Sequence, residues 1–111
     1  MSLSNLEEDC GNSLEHVVLL GQKFPICTDA SLGVAGRPWP AQDVAVKEAL
    51  LQCSSPDMPR MVVELGAGCG ALSCALALKG VRAMATDLPE VVPLIKRSAV
   101  ASGAAGLRDE V

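Results

Sequence analysis

The sequence has few aromatic residues and fewer basic than acidic residues. It contains no tyrosine, and Phe24 and Trp39 are its single phenylalanine and tryptophan. Proteins that bind single-stranded nucleic acid stack bases on aromatic side chains, so this class is disfavoured. Nine lysines and arginines against thirteen acids give a net charge of −4. Because no basic surface is expected, we predict neither a nucleic-acid partner nor an anionic membrane partner.

Long apolar runs are also lacking. The longest segment without a charged residue, 65–78, contains three glycines and is shorter than the roughly 20 residues that span a bilayer. The N-terminus carries no basic and apolar segments of the kind found in secretory signals. We therefore expect a cytoplasmic protein, with the nucleus as an alternative.

The cysteines and the histidine do not form a site. The five cysteines are an odd number without a CxxC pair, and the single histidine, His16, lies in an apolar run. Neither a metal site nor a Cys–His catalytic pair is predicted. Each cysteine is expected to be a reduced, apolar thiol.

Half of the residues are hydrophobic, which is enough for a folded core in one domain or part of one. Residues 1–15 are predicted to be a flexible N-terminus. A hairpin is predicted from the β-prone runs 15–20 and 24–28, with its turn at 21–23. A loop over 29–40 then leads to a helix over 41–53, with Pro40 at its first turn. The apolar stripe of this helix is predicted at positions 41, 45, 49 and 53, with 44 and 51 alongside.

The remainder alternates strands and helices. Residues 61–65 are predicted to be a strand buried on both faces, and 71–79 a buried helix that ends at Gly80. A second strand is expected over 81–86 and a second helix over 89–102, ending at Gly103. This order is typical of an α/β fold with a parallel sheet.

Three glycines, Gly66, Gly68 and Gly70, lie between the first strand of that sheet and its helix. Because they lack side chains, we expect bare backbone N–H groups there, open to an anionic or carboxylate-bearing cofactor. Asp87 lies at the end of the next strand, where such folds place the acid that binds ribose. The alternative is that Asp87 caps the following helix together with Glu90.

Two further residues allow two interpretations each. Glu64 is a strand-end acid that either bonds to nearby backbone amides or has a partner beside a cofactor, since a buried carboxylate needs a partner. Trp39 is either a packing anchor or part of a binding site.

Three segments together, Glu64-Leu-Gly-Ala-Gly-Cys-Gly70, Ala85-Thr-Asp-Leu-Pro-Glu-Val91 and Gly36-Arg-Pro-Trp-Pro-Ala41, carry a resemblance. The chain resembles the seven-strand S-adenosylmethionine-dependent methyltransferases, and among them the methyltransferase-like protein-lysine methyltransferases. The resemblance implies an incomplete Rossmann-like class I methyltransferase fold over residues 16–111: the hairpin, the helix and the first βαβα of the sheet.

The same resemblance implies the ligand and its site. S-adenosylmethionine would be the cofactor and a protein lysine the methyl acceptor. Gly66, Ala67, Gly68 and Gly70 would line the methionine part of the cofactor, with Glu64 helping to hold it. Asp87 would bind the ribose hydroxyls, Leu88 would lie beside the adenine, and Trp39 would close the pocket.

No residue can be assigned to catalysis, because the family's acceptor-binding segments would lie beyond Val111. We expect an N-terminal fragment or truncated product that is marginally stable and does not transfer methyl groups by itself. Its strand at 61–65 would expose an apolar edge able to pair with another chain. A catalytically silent interaction module and a fragment of an NAD-binding oxidoreductase are the alternatives, the latter because Gly66-x-Gly68-x-x-Ala71 also fits the dinucleotide pattern.

Overall fold

The computed structural model describes residues 13–53, 61–104 and 107–110. A two-stranded antiparallel hairpin, a 3-10 segment and a helix come first. A three-stranded parallel sheet with two further helices follows. The predicted α/β class is confirmed.

The hairpin consists of β1 (Ser13–Leu19) and β2 (Gln22–Thr28). Its turn is Leu20-Gly21, whose φ angles are 55° and 71°. Two successive positive φ values match the right-handed twist of the flanking strands, which explains why the turn is this tight. The prediction of a turn at 21–23 was wrong because residues 22 and 23 already pair in β2.

Two expectations about the N-terminal part meet the structure only in part. Residues 13–15 of the predicted flexible segment belong to β1, and residues 1–12 lie outside the described residues. Cys27 is disulfide-bonded, so the expectation of a reduced thiol was wrong for this cysteine. It holds for Cys53, Cys69 and Cys74.

The predicted loop after β2 contains a 3-10 segment, Ala30–Gly36. Its ends meet because the Asp29 N–H donates to the Gly36 carbonyl over 2.9 Å. A Cβ built on Gly36 would lie 1.7 Å from the Asp29 carbonyl oxygen. Only glycine permits this closure, so residues 29–36 form a closed loop.

Helix α1 (Ala41–Gln52) confirms the predicted helix. The predicted apolar stripe was wrong, since Ala41 and Ala45 are exposed. Val46 is fully buried in the core instead, and Ala49 and Leu50 pack against it. The helix therefore turns a different face to the core than predicted. The predicted stripe did not include Val46, which is the buried residue of this helix.

The parallel sheet has the order β3 (Val62–Glu64), β4 (Ala83–Thr86), β5 (Arg108–Glu110). Helix α2 (Ala71–Leu78) connects β3 to β4, and α3 (Val92–Ser102) connects β4 to β5. Both predicted strands and both predicted helices are confirmed with shorter bounds. Strand β5 was not predicted, because acidic and basic residues have low strand propensity.

The core lies around α2, whose first six residues, Ala71–Leu76, are all buried. Helix α3 packs against the hairpin through Ser98. Its buried hydroxyl accepts from the Cys27 N–H over 3.0 Å and lies 3.3 Å from the Cys27 carbonyl oxygen. This hydroxyl joins the N-terminal hairpin to the parallel-sheet unit.

Strand β3 forms the edge of the described sheet, with β4 as its only described neighbour. Val63 is 52% exposed and Leu65 83% exposed. The prediction of a strand buried on both faces was wrong, whereas the predicted apolar edge is confirmed for the described residues. No helix among those residues is long and apolar enough to cross a membrane.

Candidate functional site

The glycine loop, residues 66–70, joins the end of β3 to the start of α2. Gly66, Gly68 and Gly70 have φ angles of 65°, 59° and 82°. These values lie in the left-handed region that residues with a side chain rarely adopt. The three glycines are therefore what allows the chain to turn sharply from strand to helix.

Most amides of the glycine loop are already bonded within the protein. The Ala67 N–H donates to the Thr86 carbonyl and the Gly70 N–H to the Ala67 carbonyl, each over 2.9 Å. The Gly68 N–H donates to Asp87 Oδ2 over 2.8 Å. The expectation of bare amides was thus wrong at these three positions. The Gly66 N–H has no partner among residues 13–53, 61–104 and 107–110.

The space beside the glycines is also open at Gly66 and restricted at Gly68. Gly66 is exposed, and a Cβ built on it would meet no atom within 4 Å. A Cβ on Gly68 would lie 2.9 Å from the Ala35 carbonyl oxygen. The expectation that the three glycines leave the loop open to a cofactor was wrong at Gly68, because the Ala35 backbone approaches the side that a Cβ would occupy. Gly66 is the open position of the loop.

Asp87 follows β4 and lies directly against the glycine loop. Its Oδ2 accepts from the Gly68 N–H, and its Oδ1 accepts from the Leu88 N–H over 2.7 Å. Helix α3 has Val91 as its N-cap and no side-chain capping bond. The helix-capping alternative for Asp87 is therefore not realised. Each carboxylate oxygen, held by one N–H, retains a lone pair for another donor.

Glu64, at the end of β3, is half-buried and bonds to α2. Its Oε1 accepts from the Ser73 hydroxyl over 2.6 Å. Burial raises the pKa of the Glu64 carboxyl, the Ser73 bonds oppose that rise, and the nearby negative charge of Asp87 adds to it. The local interpretation of Glu64 is thus the one realised within the chain. Ser73 had no signal in the sequence beyond its position in the first turn of the helix.

Thr86 is a second contributor that sequence reasoning missed. Its hydroxyl donates to the Glu64 carbonyl over 2.7 Å, while its own carbonyl accepts the Ala67 N–H. The end of β4 is thereby tied to both the end of β3 and the glycine loop. Nothing in the sequence distinguishes this threonine from an ordinary strand residue.

Trp39 lies at the surface, 43% exposed, so it is not a core anchor. Its Nε1 donates to the Val34 carbonyl over 2.9 Å, and the Arg37 guanidinium lies 4.4 Å from the ring centroid. A cavity of about 280 Å³ separates Trp39 from residues 17–19 of β1. These contacts do not include the glycine loop.

Leu88 is 61% exposed beside Asp87 and presents an apolar surface there. Burial raises the pKa of Cys69 to about 11 and that of Cys74 to about 12. Neither thiol is a nucleophile at neutral pH, since the thiolate is the reactive form. No group of potential metal ligands occurs among the described residues.

The family model described as lysine methyltransferase matches residues 21–111. The chain belongs to this family. A solved structure titled as the S-adenosylmethionine-dependent methyltransferase from Agrobacterium tumefaciens matches with a TM-score of 0.65 and 22% identity. The alignment covers 88% of this chain and 32% of that one, so the chain spans about a third of that protein's length. No curated protein matches the chain.

The family model confirms the predicted membership of a methyltransferase family, and the structural neighbour confirms the partial methyltransferase fold. At 22% identity the neighbour supports the fold alone. Membership of the family implies S-adenosylmethionine as the cofactor.

Proposed function

We propose that this chain forms the cofactor-binding part of a protein-lysine methyltransferase and binds S-adenosylmethionine at the glycine loop. The observation that carries the proposal is the position of Asp87. Its carboxylate is hydrogen-bonded to the loop at Gly68, close to the open position at Gly66. An acid at the end of the second strand, beside the glycine loop of the first, is the arrangement that binds an adenosyl ribose.

The residues fit an adenosyl ligand in three respects. Asp87 has lone pairs available for ribose hydroxyls. The Gly66 N–H has no partner among the described residues, and a Cβ on this exposed glycine would meet no described atom within 4 Å, so the position suits the ligand's carboxylate. Leu88 offers an exposed apolar surface next to Asp87, suited to an adenine ring. Ala67, Gly68 and Gly70 shape the loop rather than donate to the ligand.

Glu64 and Trp39 would act less directly. The Glu64 carboxylate, already bonded to Ser73, adds negative charge near Asp87, which favours a ligand bearing a sulfonium and an ammonium group. Trp39 would close the pocket through the closed loop, since its indole is anchored on the Val34 carbonyl. When bound, the cofactor supplies an electrophilic methyl group.

The acceptor that we propose is the neutral ε-amine of a lysine on a protein substrate. The family model's description supports it. Methyl transfer would then need alignment and desolvation of the amine rather than a covalent enzyme intermediate. None of the residues assigned above has an acceptor-binding role.

The test is a calorimetric titration of the 111-residue chain with S-adenosylhomocysteine and, separately, with NAD. We expect saturable binding of S-adenosylhomocysteine and at least tenfold weaker binding of NAD. Tighter binding of NAD would overturn the proposal in favour of the oxidoreductase alternative. No binding of either ligand would favour a silent module.

The silent interaction module remains a second candidate because of one observation. Strand β3 is the edge of the described sheet, and Val63 within it and Leu65 directly after it are exposed. An unpaired edge of this kind is a template for strand addition by another chain. Sedimentation of the chain over a range of concentrations tests it. Self-association that is abolished by Val63→Lys would support strand pairing, whereas a monomer at all concentrations would contradict pairing between copies.

We place this activity in the cytoplasm, with the nucleus as the alternative. The free thiols of Cys53, Cys69 and Cys74 support a reducing compartment. The disulfide of Cys27 does not support it. Neither a nucleic acid nor a membrane is proposed as a partner, because the chain is acidic overall.

A further inference from the structure

One contact joins the N-terminal part to the glycine loop through backbone alone. The Ala35 carbonyl oxygen lies 2.9 Å from the position that a Cβ on Gly68 would take, which is closer than a real Cβ atom approaches. The N–H of the same Gly68 donates to Asp87 Oδ2 over 2.8 Å. Ala35, Gly68 and Asp87 therefore form a continuous chain of contacts that ends at the proposed ribose acceptor.

The element that presents Ala35 is closed on itself. Besides the bond between the Asp29 N–H and the Gly36 carbonyl, the Leu32 N–H donates to the Asp29 carbonyl over 3.1 Å. Both the N–H and the hydroxyl of Ser31 donate to Asp29 Oδ1, over 2.9 and 2.6 Å. These hydrogen bonds within the loop hold the Ala35 carbonyl in position.

From this chain of contacts we infer that the closed loop, residues 29–36, is a positioning element for Asp87. Packing of Ala35 against Gly68 fixes the Gly68 amide, and this amide fixes the orientation in which the Asp87 carboxylate offers its remaining lone pairs. Ala35 and Gly68 are positioning residues for ribose selection. The inference rests on the proposed function, because it assigns a cause to the ribose recognition proposed there.

The readout is the ratio of two affinities. S-adenosylhomocysteine and its 2′-deoxy analogue differ by one hydroxyl, which is a donor to Asp87 in the proposed site. A hydrogen bond to a charged group corresponds to about a tenfold to hundredfold change in affinity. We therefore expect the unmodified chain to bind the ribose form at least about tenfold more tightly. Loss of fold stability alone would lower both affinities together and leave this ratio unchanged.

The first variant is Gly68→Ala, which forces the Ala35 carbonyl and the Gly68 amide apart. Its matched control is Gly103→Ala. Gly103 also has a positive φ, 76°, but a Cβ there meets nothing within 4 Å. Both variants place alanine in a left-handed conformation, and only the first adds the collision. We expect the affinity ratio to fall to about 2 in Gly68→Ala and to stay unchanged in Gly103→Ala.

A second pair leaves the glycine loop untouched and carries the test if Gly68→Ala does not fold. Asp29→Ala removes the carboxylate that accepts both Ser31 bonds, which loosens the closed loop. Asp29→Asn keeps an oxygen acceptor at that position. We expect a reduced affinity ratio in Asp29→Ala and its rescue in Asp29→Asn.

The outcomes distinguish a failure of the proposed function from a failure of the positioning role of the closed loop. If the unmodified chain binds neither ligand, or binds both equally, the proposed function or its ribose acceptor fails, and the inference fails with it. If the unmodified chain discriminates, but Gly68→Ala and Asp29→Ala keep its ratio while both affinities fall in parallel, the proposed function survives. In that case the closed loop has no positioning role, and the inference is overturned.

Discussion

Helices α1 and α2 lie against each other, yet they occupy very different environments. Helix α2, which follows the glycine loop, is buried at every position from Ala71 to Leu76. Helix α1 is buried only at Val46, and it leaves Val44 73% exposed and Leu51 68% exposed. Since stabilisation follows the apolar area removed from water, the fold should depend on the layer that carries the glycine loop. Helix α1 covers that layer but should contribute less than α2 to the free energy of unfolding.

The largest effect expected from this difference comes from a matched pair of leucines. Leu76 is fully buried in α2, and Leu51 is mostly exposed in α1. Leu76→Ala should lower the free energy of unfolding by about 2–5 kcal/mol, whereas Leu51→Ala should change it by less than about 0.5 kcal/mol. Urea denaturation followed by circular dichroism measures both. Equal losses in the two variants would contradict the assignment of stability to the inner layer.

The next effect concerns binding rather than folding. Asp87→Asn removes the negative charge at the glycine loop and should weaken the affinity for S-adenosylhomocysteine about 10- to 100-fold. Asp43→Asn is the control, because Asp43 lies on α1 in an exposed ion pair with Lys47. Its affinity should equal that of the unmodified chain in a calorimetric titration. A loss at Asp43 as large as that at Asp87 would show that overall charge, not the site, governs binding.

The joint between the hairpin and α3 should contribute at an intermediate level. Ser98→Ala removes the hydroxyl bonded to Cys27 and leaves the buried Cys27 N–H without that acceptor. A loss of about 1–3 kcal/mol in unfolding free energy is expected. Ser102→Ala, on the same helix, removes a half-buried hydroxyl that bonds to the helix's own Ala99 carbonyl and to the Cys74 thiol, and it leaves no backbone N–H without an acceptor. Ser102→Ala should lower the unfolding free energy by less than Ser98→Ala does. Thermal unfolding of both variants checks this, and equal losses would show that the Ser98 contact with the hairpin has no special role.

The smallest effect is a change in pH dependence. Burial raises the pKa of Glu64 above its ordinary value of 4.5, so the folded state binds this proton more tightly than the unfolded chain does. The stability that Glu64 contributes is therefore present at low pH and is lost as the pH rises from 4.5 through the raised pKa. Glu64→Gln keeps an oxygen for Ser73 and removes the titration.

The measurement is urea denaturation at intervals between pH 4 and pH 7. The free energy of unfolding of Glu64→Gln, measured relative to that of the unmodified chain, should increase as the pH rises. A Glu64→Gln difference that stays constant across this range would contradict the raised pKa.

The sequence predicted the elements of the inner layer well because their signals are local. The alternation of apolar runs with Gly66–Gly70 and Gly80 defined β3, α2 and β4, and Gly103 marked the end of α3, where it adopts a left-handed φ of 76°. The position of Asp87 at the end of the second predicted strand marked it as a site residue, and the structure places its carboxylate on the glycine loop.

What could not be predicted depends on contacts between distant segments. The rotation of α1 toward Val46 is set by packing against α2, not by the apolar pattern within α1. Strand β5 forms because its backbone pairs with β4, although its charged residues carry no strand signal. The use of the Gly68 amide by Asp87 and the approach of Ala35 to Gly68 join residues 19 and 33 positions apart, beyond any local pattern.

The central claim is that an adenosyl cofactor binds at the open position of the glycine loop. The most direct measurement is a titration of ¹⁵N-labelled chain with S-adenosylhomocysteine, following the amide resonances of Gly66, Leu88 and Leu51. We predict that the Gly66 and Leu88 amides shift saturably while the Leu51 amide does not move. Saturable shifts confined to α1 and the hairpin, with Gly66 unchanged, would contradict the claim.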